Sequence, residues 1–516
     1  MRASPAFLRA RRILNIISTV AIVGFVVGQI MIANFAPVLR RNDVVMRNSV
    51  ATGGLDKRIG VGNVTGTLGG RSFLIISHDL SFTGAPHACV EMAQALGALG
   101  AHVSLAVQGQ SLLLPSHREA LLALISPLKN HDLLFDLVGL TPRVVNDADV
   151  VLLSTATAAN SAWVVPASPG ILAFLFPGIS HFLLGTRATS SLDMKTSAHL
   201  AWWVHESGAI MDALGSAATR AAVAAMSNSR VNSLVFVSRA TQRWWNDQGV
   251  LPTRSDGRDS RGHGAINTFP RQNVLLWGIP EWKIRSLSSR MRDIDERLRI
   301  RQSHKFAGND FIFLVVGTFH PMKGHAGILR AFLVANAECP VAHSGGTLGL
   351  VAVGGGLAVS DHFPRLFSDS ETIEKLDNVR LVPPSLDIAS FYLMADAVVS
   401  NTQGAGETWG LATLEALSAG KALLASSAGG TLEQVQHNAT ALLHSNIRAA
   451  ASFDEVAIGA SFFSSNITAS RELVEHMCAV ATDKFLFDRL RFAGQVHAEE
   501  NLGEKHINAA LLSLWG

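Results

Sequence analysis

Apolar residues fall along this chain in two kinds of run. The first kind occurs once. Residues 13–36 read ILNIISTVAIVGFVVGQIMIANFA, and no charged side chain lies between positions 13 and 39. About 20 apolar residues in helical form cross a bilayer core, so this run predicts one transmembrane helix. Residues 42–70 are rich in Gly, Asn, Val and Thr, lack periodicity, and read as a stem. The second kind begins at residue 71, where short continuous apolar blocks alternate with longer mixed stretches. RSFLIISH (71–78), HVSLAV (102–107), VVLLS (150–154) and LVFVS (234–238) predict strands, with a helix over 85–99. A polar stretch at 253–267 reads as a surface loop, and charged residues 286–304 read as helical. The alternation restarts with FIFLVV (311–316) and LGLVAV (348–353), then blocks at 379–382, 397–400 and 422–425.

Strands that are apolar at every position, separated by helices, belong to parallel sheets covered on both faces. The fold class is therefore α/β: two doubly wound, Rossmann-like domains facing a cleft, preceded by one transmembrane helix. The divisions are a tail at 1–12, the anchor at 13–36, a stem at 37–70, an N-terminal domain at 71–300, a C-terminal domain at 307–490 and a C-terminal helix at 491–516. Residues 484–516 are expected to be helical and to pack back on the first half. Ligands of such folds bind in the crevice at the carboxyl ends of the strands.

Charge changes this picture in one respect. Charged residues make up 16% of the chain, below the usual ~25%, which excludes a disordered or coiled-coil protein. The formal net charge is +3. Arg2, Arg9, Arg11, Arg12, Arg40 and Arg41 lie around the apolar run with no acidic residue among them, and without them the balance is slightly acidic. No nucleic-acid partner is expected. The run is too long for a cleaved signal peptide, although that and a transit peptide stay open. Arginines on both sides leave orientation undecided. Sequons at Asn63, Asn438 and Asn466 permit a lumenal body. The expected setting is a single-pass membrane protein of the Golgi or endoplasmic reticulum, with the body in the lumen. Cys89, Cys339 and Cys478 have no zinc spacing and read as buried thiols, with one oxidised pair open if the body is lumenal.

The stretch most informative about chemistry is GETWGLATLEALSAG at 406–420. Glu407 stands between a strand and a helix, and Glu415 eight residues on, inside that helix. Gly410 lets backbone approach a ligand. The first N–H groups of the helix, near Leu411 and Ala412, have no intrahelical partner and suit an anion. Two carboxylates thus flank a phosphate cradle, as a nucleotide sugar requires.

Glu407-x7-Glu415, with Trp409-Gly410 and Glu415-Ala416, resembles the signature of retaining glycosyltransferases of family 4, which have the GT-B fold. Further stretches agree in order. GTFHPMKG at 317–324 resembles the family's G-R-L-x-x-x-K-G loop. Tyr392, Ala395 and Asp396 resemble its Y-x-x-A-D stretch. SHDLSFTGAP at 77–86 resembles its first N-terminal glycine loop. The resemblance covers about residues 71–490 and is most specific in the second half. It implies a hexosyltransferase moving a sugar with retention from a nucleotide-sugar donor to a hydroxyl of a glycan, lipid or small molecule, with no metal or other cofactor. It places Glu407 on the donor sugar, Glu415 on the ribose, Lys323 on the diphosphate, and Gly84, Gly317, Gly410, Leu411 and Ala412 at the donor through backbone. His205, after two tryptophans, is the N-terminal catalytic candidate, with His78 and His87 behind it. One departure stands out: the family's phosphate-binding Arg is Thr318 here, as a small residue is in some plant-type members. A hydroxyl has neither the charge nor the forked donors of guanidinium. That departure motivates the alternative of a non-catalytic nucleotide-sugar-binding scaffold.

Other motifs carry less. Asp293-Ile294-Asp295 reads as a solvated helical face and Asp147-Ala148-Asp149 as a strand-entry turn, so neither is read as a metal-binding pair. His320 and His325 read as surface residues. Gly354-Gly355-Gly356 lacks the third glycine of a dinucleotide fingerprint, because position 359 is Val359. This sets aside a nicotinamide-dependent oxidoreductase.

Overall fold

The computed structural model describes residues 67–77, 84–107, 131–134, 147–154, 198–206, 211, 216–227, 231–250, 270–319, 321–339, 342–354, 376–385, 387–403, 406–445 and 471–516. The expected membrane run at 13–36 lies outside them, as does the stem up to residue 66. Among the described residues no helix is long and apolar enough to cross a membrane. The end of the expected stem belongs to the folded body instead: Leu68 is buried, and its N–H donates to the Leu99 carbonyl at 2.8 Å.

The first half runs β1 (Ser72–Ser77), α1 (Gly84–Ala98), β2 (His102–Val107), β3 (His131–Leu134), β4 (Val150–Ser154), β5 (His199–Val204), α2 (Ser216–Met226), β6 (Ser233–Phe236), α3 (Arg239–Asp247) and β7 (Arg271–Val274). Two helices follow, α4 (Glu281–Arg290) and α5 (Ile294–Ser303). The second half runs β8 (Phe311–Val316), α6 (His325–Glu338), β9 (Leu348–Val353), β10 (Val379–Val382), α7 (Ile388–Met394), β11 (Ala397–Ser400), α8 (Leu411–Ser418), β12 (Ala422–Ser426), α9 (Thr431–Gln434) and β13 (Leu442–His444). Helices α10 (Arg471–Thr482), α11 (Lys484–Asn501) and α12 (Glu504–Trp515) close the chain.

Strand order is β3-β2-β1-β4-β5-β6-β7 in one sheet and β10-β9-β8-β11-β12-β13 in the other, and the strand pairs of both are parallel. The order reverses beside β1 and beside β8, the topological switch points of a doubly wound sheet. Side chains alternate between faces, and both faces are buried. Phe73 and Ile75 of β1 join one core cluster, Leu74 and Ile76 another. In β8, Ile312 and Leu314 point one way and Phe311, Phe313 and Val315 the other. This is why those strands are apolar throughout.

Four strands escape the sequence pattern. β7 (RQNV) and β13 are a polar and a three-residue edge, respectively. β3 (HDLL) is the opposite edge of the first sheet, and β5 (HLAWWV) reaches its burial with tryptophans. The charged stretch at 286–304 is helical as expected, and falls on two helices, α4 and α5. Helix α11 begins at Lys484, capped by Asp483, so the division at 490 falls inside it. The chain then returns to the first half. The Ile279 N–H donates to the Leu502 carbonyl at 2.8 Å, and Trp515 packs edge-on against Phe73 at 5.6 Å. The cysteines also differ from the expectation of separate buried thiols. Cys339 and Cys478 form a disulfide with Cα atoms 5.4 Å apart, and Cys89 is buried.

Candidate functional site

The site grows from two loops that leave adjacent strands at the second switch point. After β8 the chain passes Gly317 and Thr318 into a single 3-10 turn, Pro321–Lys323. After β11 it passes Asn401 and Thr402 to Glu407. The loops are stitched together. The Gln403 N–H donates to the Met322 carbonyl at 2.7 Å, and the Asn401 amide donates to the Gly324 carbonyl at 3.3 Å. Gly324 has φ +64°, and a Cβ there would lie 2.3 Å from the Asn401 carbonyl oxygen. No other residue fits so closely. Gly354 is as confined: its Cβ would meet the Gly317 oxygen at 1.7 Å.

This packing delivers the Lys323 ammonium onto Oε2 of Glu407, an ion pair. The Thr402 hydroxyl donates to the same oxygen at 3.3 Å. The Lys323 and Glu407 side chains keep 32% and 21% of their surface exposed, so both can reach a ligand. Glu407 is fixed behind by its bridge to Gly429 and by its carbonyl, which accepts from Gly430 at 2.6 Å. Gly410 caps α8 with no side-chain hydrogen bond, and the first turn has no acidic residue. The cap is clamped from its far side: Gln434 accepts from the Gly410 N–H at 3.3 Å and donates to its carbonyl at 3.0 Å. The N–H groups of Leu411 and Ala412 therefore sit at a rigid, positive helix end whose own first turn carries no acidic residue. Lys323 and Glu407 are paired, the Glu407 Cγ lies 3.3 Å from where a Cβ on Gly410 would stand, and Leu411 and Ala412 open the helix that follows.

Glu415 is set differently. It lies one helical turn beyond Leu411, its side chain only 13% exposed. Lys283 of α4 sits 2.6 Å from its Oε1, and the Tyr392 hydroxyl donates to Oε2 at 2.9 Å. Lys283 also lies 3.0 Å from Oε1 of Glu91 on α1. The second oxygen of Glu91 accepts from the Trp277 indole at 2.9 Å, and His87 lies 3.4 Å from the first. Burial would raise the Glu91 pKa, but Lys283, His87 and Trp277 outweigh it and hold the carboxyl down at about 2. Burial opposes the charge on Lys283 too, yet its two carboxylates raise its pKa above the usual lysine value. Sequence reasoning missed Lys283, Glu91 and Trp277, whose partners across the chain lie more than a hundred positions away. Tyr392 was noticed only as part of a motif, although it is the chain's single tyrosine.

The N-terminal candidates are less gathered. His205 directly follows strand β5, and its ring packs 4.2 Å from Trp203. It therefore stands at a carboxyl end of the first sheet. Gly84 opens α1, and His78 and the loop at 78–83 lie outside the described residues, as does His320. His325, expected at the surface, is buried as the first residue of α6, against Phe319 at 4.9 Å. The two acidic pairs have structural work. Asp293 caps α5 and exposed Ile294 follows it. Asp149 accepts from the Ser72 N–H at 2.9 Å at the entry to β1. Among the described residues, no group of three or more His, Cys, Asp or Glu side chains could hold a metal ion.

The halves are joined beside the candidate site. The Trp409 indole donates to the Trp277 carbonyl at 2.6 Å. Glu433 accepts from the Arg239 and Ala240 N–H groups at 3.0 and 2.8 Å, capping α3 from across the cleft.

Comparison with known proteins agrees with this architecture. Residues 296–457 match the family described as glycosyl transferases group 1, and residues 69–167 match glycosyl-transferase family 4. No curated protein sequence matches the chain. Among solved structures, HepE of Anabaena in complex with UDP-glucose is 16% identical, with TM-score 0.59 over 86% of this chain and 98% of that one. Sucrose-phosphate synthase of Thermosynechococcus elongatus is 14% identical, with TM-score 0.54 over 86% and 98%. A trehalose-6-phosphate synthase, from work on glycosyltransfer with retention through bisubstrate glycomimetics, is 11% identical, with TM-score 0.51 over 86% and 98%. At such identities the likeness is one of fold: the two parallel-sheet domains of GT-B.

Proposed function

We propose that this glycosyltransferase, with group 1 and family 4 domains on a GT-B frame, transfers a sugar with retention from a nucleoside diphosphate donor to an acceptor hydroxyl, and needs no metal ion to do so. The chain is a glycosyltransferase by its two matched domains and its fold. The finer reading rests on one observation: the Lys323–Glu407 pair beside the open N-terminus of α8.

Breaking the bond from the anomeric carbon to the diphosphate leaves negative charge on the phosphate oxygens. A fixed cation and oriented N–H groups stabilise that charge most where they need no reorganisation. Lys323 and the Leu411 and Ala412 N–H groups supply both. Glu407 holds Lys323 in place, and its exposed edge accepts hydroxyls of the donor sugar. Glu415 accepts the ribose hydroxyls. His205, at the end of β5, serves the reacting sugar from the opposite half. Retention follows if the acceptor hydroxyl attacks from the face that the diphosphate leaves. HepE in complex with UDP-glucose makes UDP-glucose the first donor to try. The run at 13–36 supports a membrane anchor, and the Cys339–Cys478 pair supports a body in an oxidising lumen, Golgi or endoplasmic reticulum.

The test is a thermal-shift and turnover screen of the detergent-solubilised full chain against UDP, GDP and ADP and their glucose conjugates, with and without a chelator. One nucleotide is expected to raise the melting temperature. Its sugar conjugate should be hydrolysed or transferred, with or without chelator, and with retained anomeric configuration. No shift and no turnover across the panel would refute the proposal. A shift without turnover would favour a non-catalytic binding protein, the reading that Thr318 in place of an Arg suggests.

A further inference from the structure

The polar network around Glu415 joins both halves of the molecule. Lys283 reaches Glu415 at 2.6 Å and Glu91 at 3.0 Å, and Tyr392 reaches the other oxygen of Glu415 at 2.9 Å. Glu91, Lys283 and Glu415 side chains are 2%, 11% and 13% exposed. These residues line a narrow crevice with Gly278, Ile279 and Leu414.

Lys283 is rigidly placed. It stands one turn into α4, which starts where the Ile279 N–H is bound to Leu502 and the Glu281 N–H to Glu504. An ammonium has three donors. Two lie on carboxylates, and the third faces His87 Nε2 at 3.4 Å. A carboxylate offers about four lone-pair sites. Lys283 and Tyr392 occupy one on each oxygen of Glu415, which leaves one on each for vicinal hydroxyls. An unsupported glutamate on a helix samples several rotamers. This one is held from both sides.

We propose that Lys283 and Tyr392 are positioning residues for donor recognition: they fix the Glu415 carboxylate so that its remaining lone pairs meet the two ribose hydroxyls, with Glu91 as the counter-charge that anchors Lys283. The inference rests on the proposed nucleotide-sugar reading and goes beyond it, because it makes ribose recognition depend on a residue from outside the donor domain.

Lys283→Met alone leaves two buried carboxylates facing each other, a change that can prevent folding. The informative variant is Lys283→Met/Glu91→Gln, which keeps the net charge of the network at its original value. Tyr392→Phe is the milder companion. The measurement is the dissociation constant of the full chain for UDP and for 2′,3′-dideoxy-UDP. The double variant is expected to weaken UDP about tenfold and dideoxy-UDP less than about twofold, and Lys283→Arg is expected to recover part of the loss. A merely structural role would weaken both nucleotides by the same factor, and that result overturns the inference. Wild-type protein that binds UDP and dideoxy-UDP equally also overturns it, while leaving the donor reading intact. Wild-type protein that binds neither, nor any other nucleoside diphosphate, overturns the donor reading and the inference together.

Discussion

Replacing Lys323 by Met separates what this side chain does for stability from what it does for chemistry. The perturbation removes one ammonium and keeps the length of the apolar stem. In the folded protein Lys323 pairs with Glu407 at a site where the two side chains retain about a third and about a fifth of their surface in solvent. A pair so exposed contributes about 1 kcal/mol or less to folding. Glu407 keeps the Thr402 hydroxyl and gains water in exchange. The turn also remains, because Gly324 and the Gln403–Met322 hydrogen bond hold it through backbone. The melting temperature should therefore fall by no more than about 4 °C, the usual response of a large domain to 1 kcal/mol. Turnover is different. Thr318 offers no second cation, so in the proposed reaction the charge opposite the departing diphosphate falls to Lys323. Loss of one such preorganised partner costs about a hundredfold to a thousandfold in kcat, or about 2.7–4 kcal/mol. The assay pairs a melting curve with kcat and KM for UDP-glucose, or for whichever donor the screen selects. The reasoning is refuted if Lys323→Met keeps kcat within about threefold of wild type. A melting point lower by ten degrees or more refutes it as well, because Lys323 would then be a structural residue.

Two further outcomes follow from the architecture. Lys421 is buried and donates to the Ala395 carbonyl at 2.9 Å. Burial and then Arg297, with Arg491 and Arg301, lower its pKa to about 7, against the pull of Asp396. Between that value and the unfolded 10.5 the unfolded chain binds the extra proton, so stability should rise with pH across the interval, by up to about 1.4 kcal/mol per unit. Urea midpoints at pH 7 and 9 measure this, and Lys421→Met should flatten the slope; equal slopes would contradict the assignment. The Cys339–Cys478 bridge closes a separation of 139 residues, which in the chain-entropy picture is worth up to about 5 kcal/mol. Replacing both cysteines by Ala should lower the non-reducing urea midpoint of the full chain, and reductant should then have no further effect.

The legibility of this protein follows the range of its interactions. β2, β4, β8, β9, β10 and β11 occupy the residues their apolar blocks predict, and β4, β8, β9 and β11 do so because strands buried on both faces are apolar almost throughout. The edge strands β7 and β13 carry no such mark, since β7 is polar and partly exposed and β13 is only three residues long. In the candidate site, Glu407, Gly410, Leu411 and Ala412 are proposed from a local structure, a helix N-terminus, whereas Lys323 is proposed only through the resemblance of its glycine-bounded loop. The disulfide was left open, because nothing in the spacing of Cys339 and Cys478 says that α6 and α10 lie side by side.

By itself, the sequence determined the α/β class, the two-fold repetition of parallel sheets, the apolar run at 13–36 and the placement of two carboxylates, Glu407 and Glu415, before and inside one helix. These depend on periodicity and on backbone geometry within some twenty residues. Only the tertiary structure decided what those carboxylates face. Glu407 meets Lys323 from a loop 84 positions earlier. Glu415 meets Lys283 and, through it, Glu91, from three elements with no common motif. Charges pair by distance in space, and the folding of α4 against α1 and α8 sets that distance.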